Sequence, residues 1–248
     1  MKRSKASAWF LSVALTGFAV MSPSAQAAGG EDCGYKSVQI QGAGLAEAES
    51  SCLALKQVLG LFTQLGLSVE PEVRLQFQDE VYLPVSVTGG DKVRVHGYFD
   101  SSSFEIFQTH FQSSYQQSTR KPWRLRWSNE LAHSFVLHEI SHLAVMKYLQ
   151  SIGRPEKKIS SAWHEAIAYA VQFELMDPQL RSKIVARYPA LASDLFADPS
   201  YFSPIIYRAD PDEYAVKVYL TIQKWGGISF IKGVLDGTVS GVEPYEMF

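Results

Sequence analysis

Cysteine is scarce in this chain of 248 residues: Cys33 and Cys52 are the only two. Neither belongs to a metal-type pair, which excludes a thiolate metal site. Positive charge is not in excess either, with 23 basic against 25 acidic side chains and a formal net charge of −2. Such a balance argues against nucleic acid or an anionic membrane as the partner. After the first 27 residues no apolar run approaches membrane-spanning length. Internal repeats and low-complexity linkers are also missing, so nothing marks a boundary for a second domain.

What is present begins with an export signal. Lys2, Arg3 and Lys5 make a basic start, Ala8 to Met21 is an apolar run, and Ala25-Gln26-Ala27 is a small-residue cleavage site. Residues 1–27 therefore read as a secretory signal peptide of the bacterial kind, with an uncleaved anchor as the alternative. Cleavage leaves 221 residues and, by removing three basic and no acidic side chains, moves the formal charge from −2 to −5. Residues 28–248 are expected to form a single soluble domain, acting as a monomer in the periplasm or outside the cell. Two lobes around a cleft, about 28–145 and about 146–248, suit that length. In an oxidising compartment Cys33 and Cys52 can form one disulfide tying the new N-terminus to a nearby helix; two buried thiols are the alternative.

Hydrophobic period separates the chain into two kinds of segment. Residues 37–41 alternate, as do Val73, Leu75 and Phe77 with their polar neighbours, and Val93, Val95 and Gly97. Phe104 to Phe111 reads as a further strand after the turn at Asp100. Leu45 to Leu65 carries a helical stripe. From Ser128, a good N-cap, a helix runs to about Gln150, stopped by Gly153 and Pro155. Others are expected at about Ser161 to Met176, Asp212 to Lys224 and Ile228 to Leu235. Sheet first and helices after predicts an α+β fold: a mixed sheet with one long helix, then a helical C-terminal lobe.

The segment Leu137-His-Glu-Ile-Ser-His-Leu-Ala144 places three ionisable side chains inside an apolar helix, which is costly unless they pair or hold something. Positions i and i+4 share a helix face, so His138 and His142 can aim two imidazoles at one point. Zinc takes imidazole nitrogen at about 2.0–2.1 Å in a tetrahedron. Glu139, offset by one residue, lies beside that point, where a general base belongs. A third ligand is needed, and Glu165 is the candidate by geometry: a turn at Gly153-Arg154, midway between 142 and 165, would set Glu165 opposite His142 in an antiparallel hairpin. His164 is the competing residue, pointing about 100° away on the same helix. Glu174 lies too far along, and Glu156 falls in the loop.

At this point the chain resembles the gluzincin metallopeptidases, the group of thermolysin and aminopeptidase N. The resemblance rests on His138, Glu139, His142, Trp163, Glu165, Ala166 and Ala168, and covers about 128–176. It implies a zincin-like fold, zinc held by His138, His142 and Glu165, and Glu139 as general base and then general acid. Two features depart from the pattern. Thermolysin-like members carry an acid four residues after the ligand glutamate to orient a zinc histidine, where this chain has Tyr169. The aminopeptidase motif G-x-M-E-N is absent.

Other residues carry weaker signals. Tyr207 and Tyr214 are candidates for polarising a substrate carbonyl, against a packing role. His133 falls off the metal face, and His96 and His110 on strands are expected to be exposed or hydrogen-bonded. Arg120, Lys121, Arg124 and Arg126 read as a solvated loop whose Trp123 and Trp127 offer a substrate wall as a second possibility. The expectation is a secreted or periplasmic zinc peptidase acting on a peptide or protein, with the peptide along an edge strand at 93–99 or 104–110. Its rival is an inactive zinc-stabilised binding or inhibitory protein, which would have no reason to keep Glu139.

Overall fold

A computed structural model describes residues 33–84, 88–113, 121–153 and 159–240 of the chain. The signal-peptide reading (1–27), Arg120, Arg154 and Glu156 lie outside the described residues. Strand β1 (Val38–Gln41) buries Val38 and Ile40 and exposes its two glutamines. Strand β2 (Val73–Gln78) likewise buries Val73, Leu75 and Phe77. The two pair in parallel, so the chain must cross over between them. Helix α1 (Leu45–Gln64) is that crossover, laying Ala48, Leu55, Leu59 and Phe62 inward.

After the short strands β3 (Val81–Tyr82) and β4 (Arg94–Val95), which pair with each other, come β5 (Gly97–Asp100) and β6 (Glu105–Thr109). The main sheet has the order β1-β2-β6-β5, with β6 parallel to β2 and β5 antiparallel to β6. β6 is thus an interior strand with both edges taken, which removes 104–110 as an edge for an added peptide. β5 is the edge. The segment expected as one strand over 93–97 is split: its first half pairs with β3, and its continuation joins β6.

The second half is helical, as the periodicity predicts. Helix α2 (Asn129–Ser151) begins at Ser128, whose hydroxyl accepts from the Leu131 N–H. Every residue from Val136 to Val145 is buried, because α2 is covered by α1 and β5 on one side and by α3 (Ser161–Leu175) on another. Pro178 closes α3 and also opens α4 (Pro178–Val185), a helix the sequence reading lacks. The helices α5 (Pro204–Ala209), α6 (Pro211–Lys224) and α7 (Ile228–Asp236) follow. One contiguous apolar core runs from Val38 to Leu235 through both halves. A disulfide joins Cys33 to Cys52 in α1. No helix among the described residues is long and apolar enough to cross a membrane.

Candidate metal centre

α2 and α3 pack as an antiparallel pair: His142 faces Glu165, while His138 and Ser134, one and two turns back, face Gln172 further along α3. Glu165 therefore reaches the histidine pair as the turn near Gly153 predicts. The Nε2 atoms of His138 and His142 lie 3.1 Å apart. The Glu165 carboxylate presents Oε2 at 3.4 Å to His138 and Oε1 at 3.7 Å to His142. His164 faces the same cleft, but its ring is 6.4 Å from that of His142 and outside this trio.

A hydrogen-bond chain decides which nitrogen of His138 carries its proton. Ser134 donates to the Leu131 carbonyl at 2.7 Å and so accepts from the Gln172 amide at 3.2 Å. That turns Gln172 Oε1 to His138 Nδ1, also at 3.2 Å. Nδ1 is then the N–H, and the lone pair of the neutral ring sits on Nε2. Tyr169, which stands where thermolysin-like members carry an acid, packs on the His138 ring with centroids 4.5 Å apart. Gln172 is a residue of the candidate site that sequence reasoning missed. Its signal is a lone amide inside the apolar run of α3.

Three lone-pair groups thus converge, and Glu165 Oε2 is buried without a hydrogen-bond partner. Ligands about 2.0–2.1 Å from a tetrahedral ion lie roughly 3.3 Å from one another. The histidine nitrogens are 3.1 Å apart, and the two Glu165 oxygens approach one histidine each at 3.4 and 3.7 Å. One ligand atom from each of His138, His142 and Glu165 lies within 4.8 Å of the others, so the three form a group able to hold a metal ion. The electrostatics agree. Burial, against the opposing pull of Glu165, pushes His142 down to about 3, which keeps its lone pair free. Burial alone would lower His138 as well, but Glu165, Glu139 and Gln172 raise it. Glu165 is held below the usual carboxylate value despite burial, by His142, His138 and His164.

Glu139 points out of this trio toward β5. The Phe99 backbone N–H bonds its carboxylate, and burial with the nearby Glu165 raises it to about 7 against the opposing pull of His138. Gly97 makes room for it: a Cβ there would lie 2.7 Å from Glu139 Cγ and Oε1 and 2.8 Å from Gln108 Oε1. Gln108 is fully buried, with both amide atoms unpaired among the described residues. Above the metal group opens a cleft of about 610 Å³, bounded by β5 on one side and by His164, Tyr207 and Arg208 on the other.

The remaining candidates fall elsewhere. Tyr214 is buried and donates its hydroxyl to the Ala162 carbonyl at 3.0 Å, a packing role, whereas Tyr207 lines the cleft. His133 bonds Ser50 and Gln57 of α1, and His110 bonds Glu47. His96 stacks on Trp127 at 4.4 Å. Trp123 and Trp127 are core residues packed on Phe135, not a substrate wall, while Lys121, Arg124 and Arg126 are exposed. No curated protein and no solved structure matches the chain. A family model matches residues 38–243, and the chain belongs to that family, described as a family of unknown function (DUF6639).

Proposed function

We propose that the chain is an exported zinc peptidase in which His138, His142 and Glu165 hold the metal and Glu139 moves protons. The observation that carries this reading is the convergence of three lone-pair groups beside a carboxylate that stands apart from them. Two imidazoles and one carboxylate are the donor set of a hydrolytic zinc site with one position left open. The gluzincin resemblance of residues 128–176 agrees with it, and Gln172 does for His138 what an acid does in thermolysin-like members. When bound, zinc supplies Lewis acidity to a water and to the scissile carbonyl. Glu139 takes the proton of the attacking water and passes it to the leaving amine.

An extended substrate pairs with the outer edge of β5, where backbone bonding gives affinity without much sequence choice. Of the two tyrosines, Tyr207 is the one in place to touch the substrate carbonyl. The disulfide supports an oxidising compartment, the periplasm or outside the cell.

The test is Glu139→Gln, which keeps size and hydrogen bonding but removes the base. Peptide cleavage is expected to fall about 10²–10⁴-fold with zinc content and fold unchanged. Chelator should abolish cleavage and added zinc restore it. If the zinc-loaded unsubstituted protein cleaves no peptide, the binding or inhibitory reading takes over.

A further inference from the structure

Arg208 sits in the last turn of α5 and lines the cleft that holds the candidate metal centre. It is exposed, and no carboxylate or carbonyl among the described residues partners it. Away from the metal group the cleft walls are mainly apolar, with Leu83, Val93, Val95, Phe99 and Met146 among them. The acidic lining groups are Glu139 and Glu165, which a bound dication offsets. The guanidinium is then the uncompensated charge of the cleft, in a chain whose exported part carries a formal charge of −5. Beside it on α5, Ile205 and Ile206 are 80% and 40% exposed, so the surroundings favour apolar residues next to whatever Arg208 binds.

A guanidinium matches a carboxylate with two parallel hydrogen bonds, and apolar walls strengthen such a pair relative to open solvent. We infer that Arg208 binds a carboxylate of the substrate, from the chain terminus or from an acidic side chain, and thereby sets which bond lies over the metal. The cutting part of this inference rests on the peptidase reading; the binding part does not.

Three apolar hexapeptides of one sequence separate the possibilities: one with a free C-terminal carboxylate, one amidated, and one amidated with glutamate as its last residue. Their affinity is measured on zinc-loaded Glu139→Gln protein, and their cleavage on the unsubstituted protein. At least one carboxylate form is expected to bind about threefold or more tighter than the plain amide, the range running from an exposed ion pair to a bidentate one. Preference for the free terminus names the terminal carboxylate, and cleavage should then release C-terminal fragments of one constant length. Preference for the glutamate peptide names the side chain. Arg208→Ala should abolish the preference and Arg208→Lys keep part of it, with zinc content unchanged in both. Affinities of all three peptides within threefold of one another, or a preference that survives Arg208→Ala, overturn the inference. Preference without cleavage sinks the peptidase reading and leaves Arg208 in its role.

Discussion

At Gly97 one missing carbon decides where the proposed base can stand. Its φ lies outside the left-handed region, so backbone freedom is not the reason for glycine here. Room is the reason: a Cβ would meet Glu139 at 2.7 Å, closer than carbon and oxygen atoms pack. Gly97→Ala is therefore expected to displace Glu139 and cut cleavage by roughly a hundredfold, the low end of what a general base contributes. Zinc content should stay near one per chain, since the atoms nearest that Cβ belong to Glu139 and Gln108 and not to the three candidate ligands. Turnover and metal analysis on one preparation check this. Unchanged turnover would mean that Glu139 does its work from a different rotamer.

Among the elements, α1 shows how the sheet and the helices are joined. Glu47 in its first turn is 8% exposed, yet it accepts from the Gly44 and Phe111 backbone N–H groups at 2.8 Å and from His110 at 3.0 Å. It caps the helix and clamps the end of β6 in one step. Burial pushes Glu47 up, but the His110 bond and the two N–H groups outweigh it and hold the carboxyl below its ordinary 4.5. His110 is raised above its ordinary 6.5 by the same bond, against its own burial. A lowered acid contributes stability that is lost as pH falls, and a raised histidine contributes stability that is lost as pH rises. Glu47→Ala is expected to cost about 2–3 kcal/mol, because buried donors lose a charged acceptor. That cost should be largest between about pH 4.5 and 6.5 and shrink on both sides. Urea unfolding of both proteins below, within and above the window measures it.

For the molecule as a whole, a metal held by the candidate group would be a cross-brace. His138 and His142 belong to α2 and Glu165 to α3, the two most closely packed helices of the fold. Zinc bound only by the native arrangement stabilises by mass action, about 4 kcal/mol at a thousandfold excess over its dissociation constant. Chelator is thus expected to lower the unfolding temperature and zinc to restore it. Glu165→Ala should remove most of that metal-dependent shift and His164→Ala little of it. Thermal unfolding with and without chelator decides, and the reverse order would mean that α3 is rotated from its present setting.

Much of the centre is legible along the chain because helical period is local. His138, Glu139 and His142 follow from the i, i+4 rule, and Glu165 from a turn whose glycine and proline are themselves in the sequence. The cysteine pair is legible because there are only two. The supporting residues are not, since each acts across a long separation that no local pattern encodes. Gln172 reaches His138, the Phe99 N–H and Gly97 meet Glu139, and Arg208 enters the cleft from a six-residue helix too short to show a period. The loop before α2 shows the same limit. Trp123 and Arg124 both take left-handed φ values, a conformation their residue types disfavour, and Trp123 is buried with its ring N–H on the Asp212 carbonyl. Sequence alone determined which side chains of α2 converge on the candidate metal group, because their spacing along one helix sets their direction. Only the tertiary structure decided what orients them and what lies across the cleft, because those contacts exist only once strand and helices have packed.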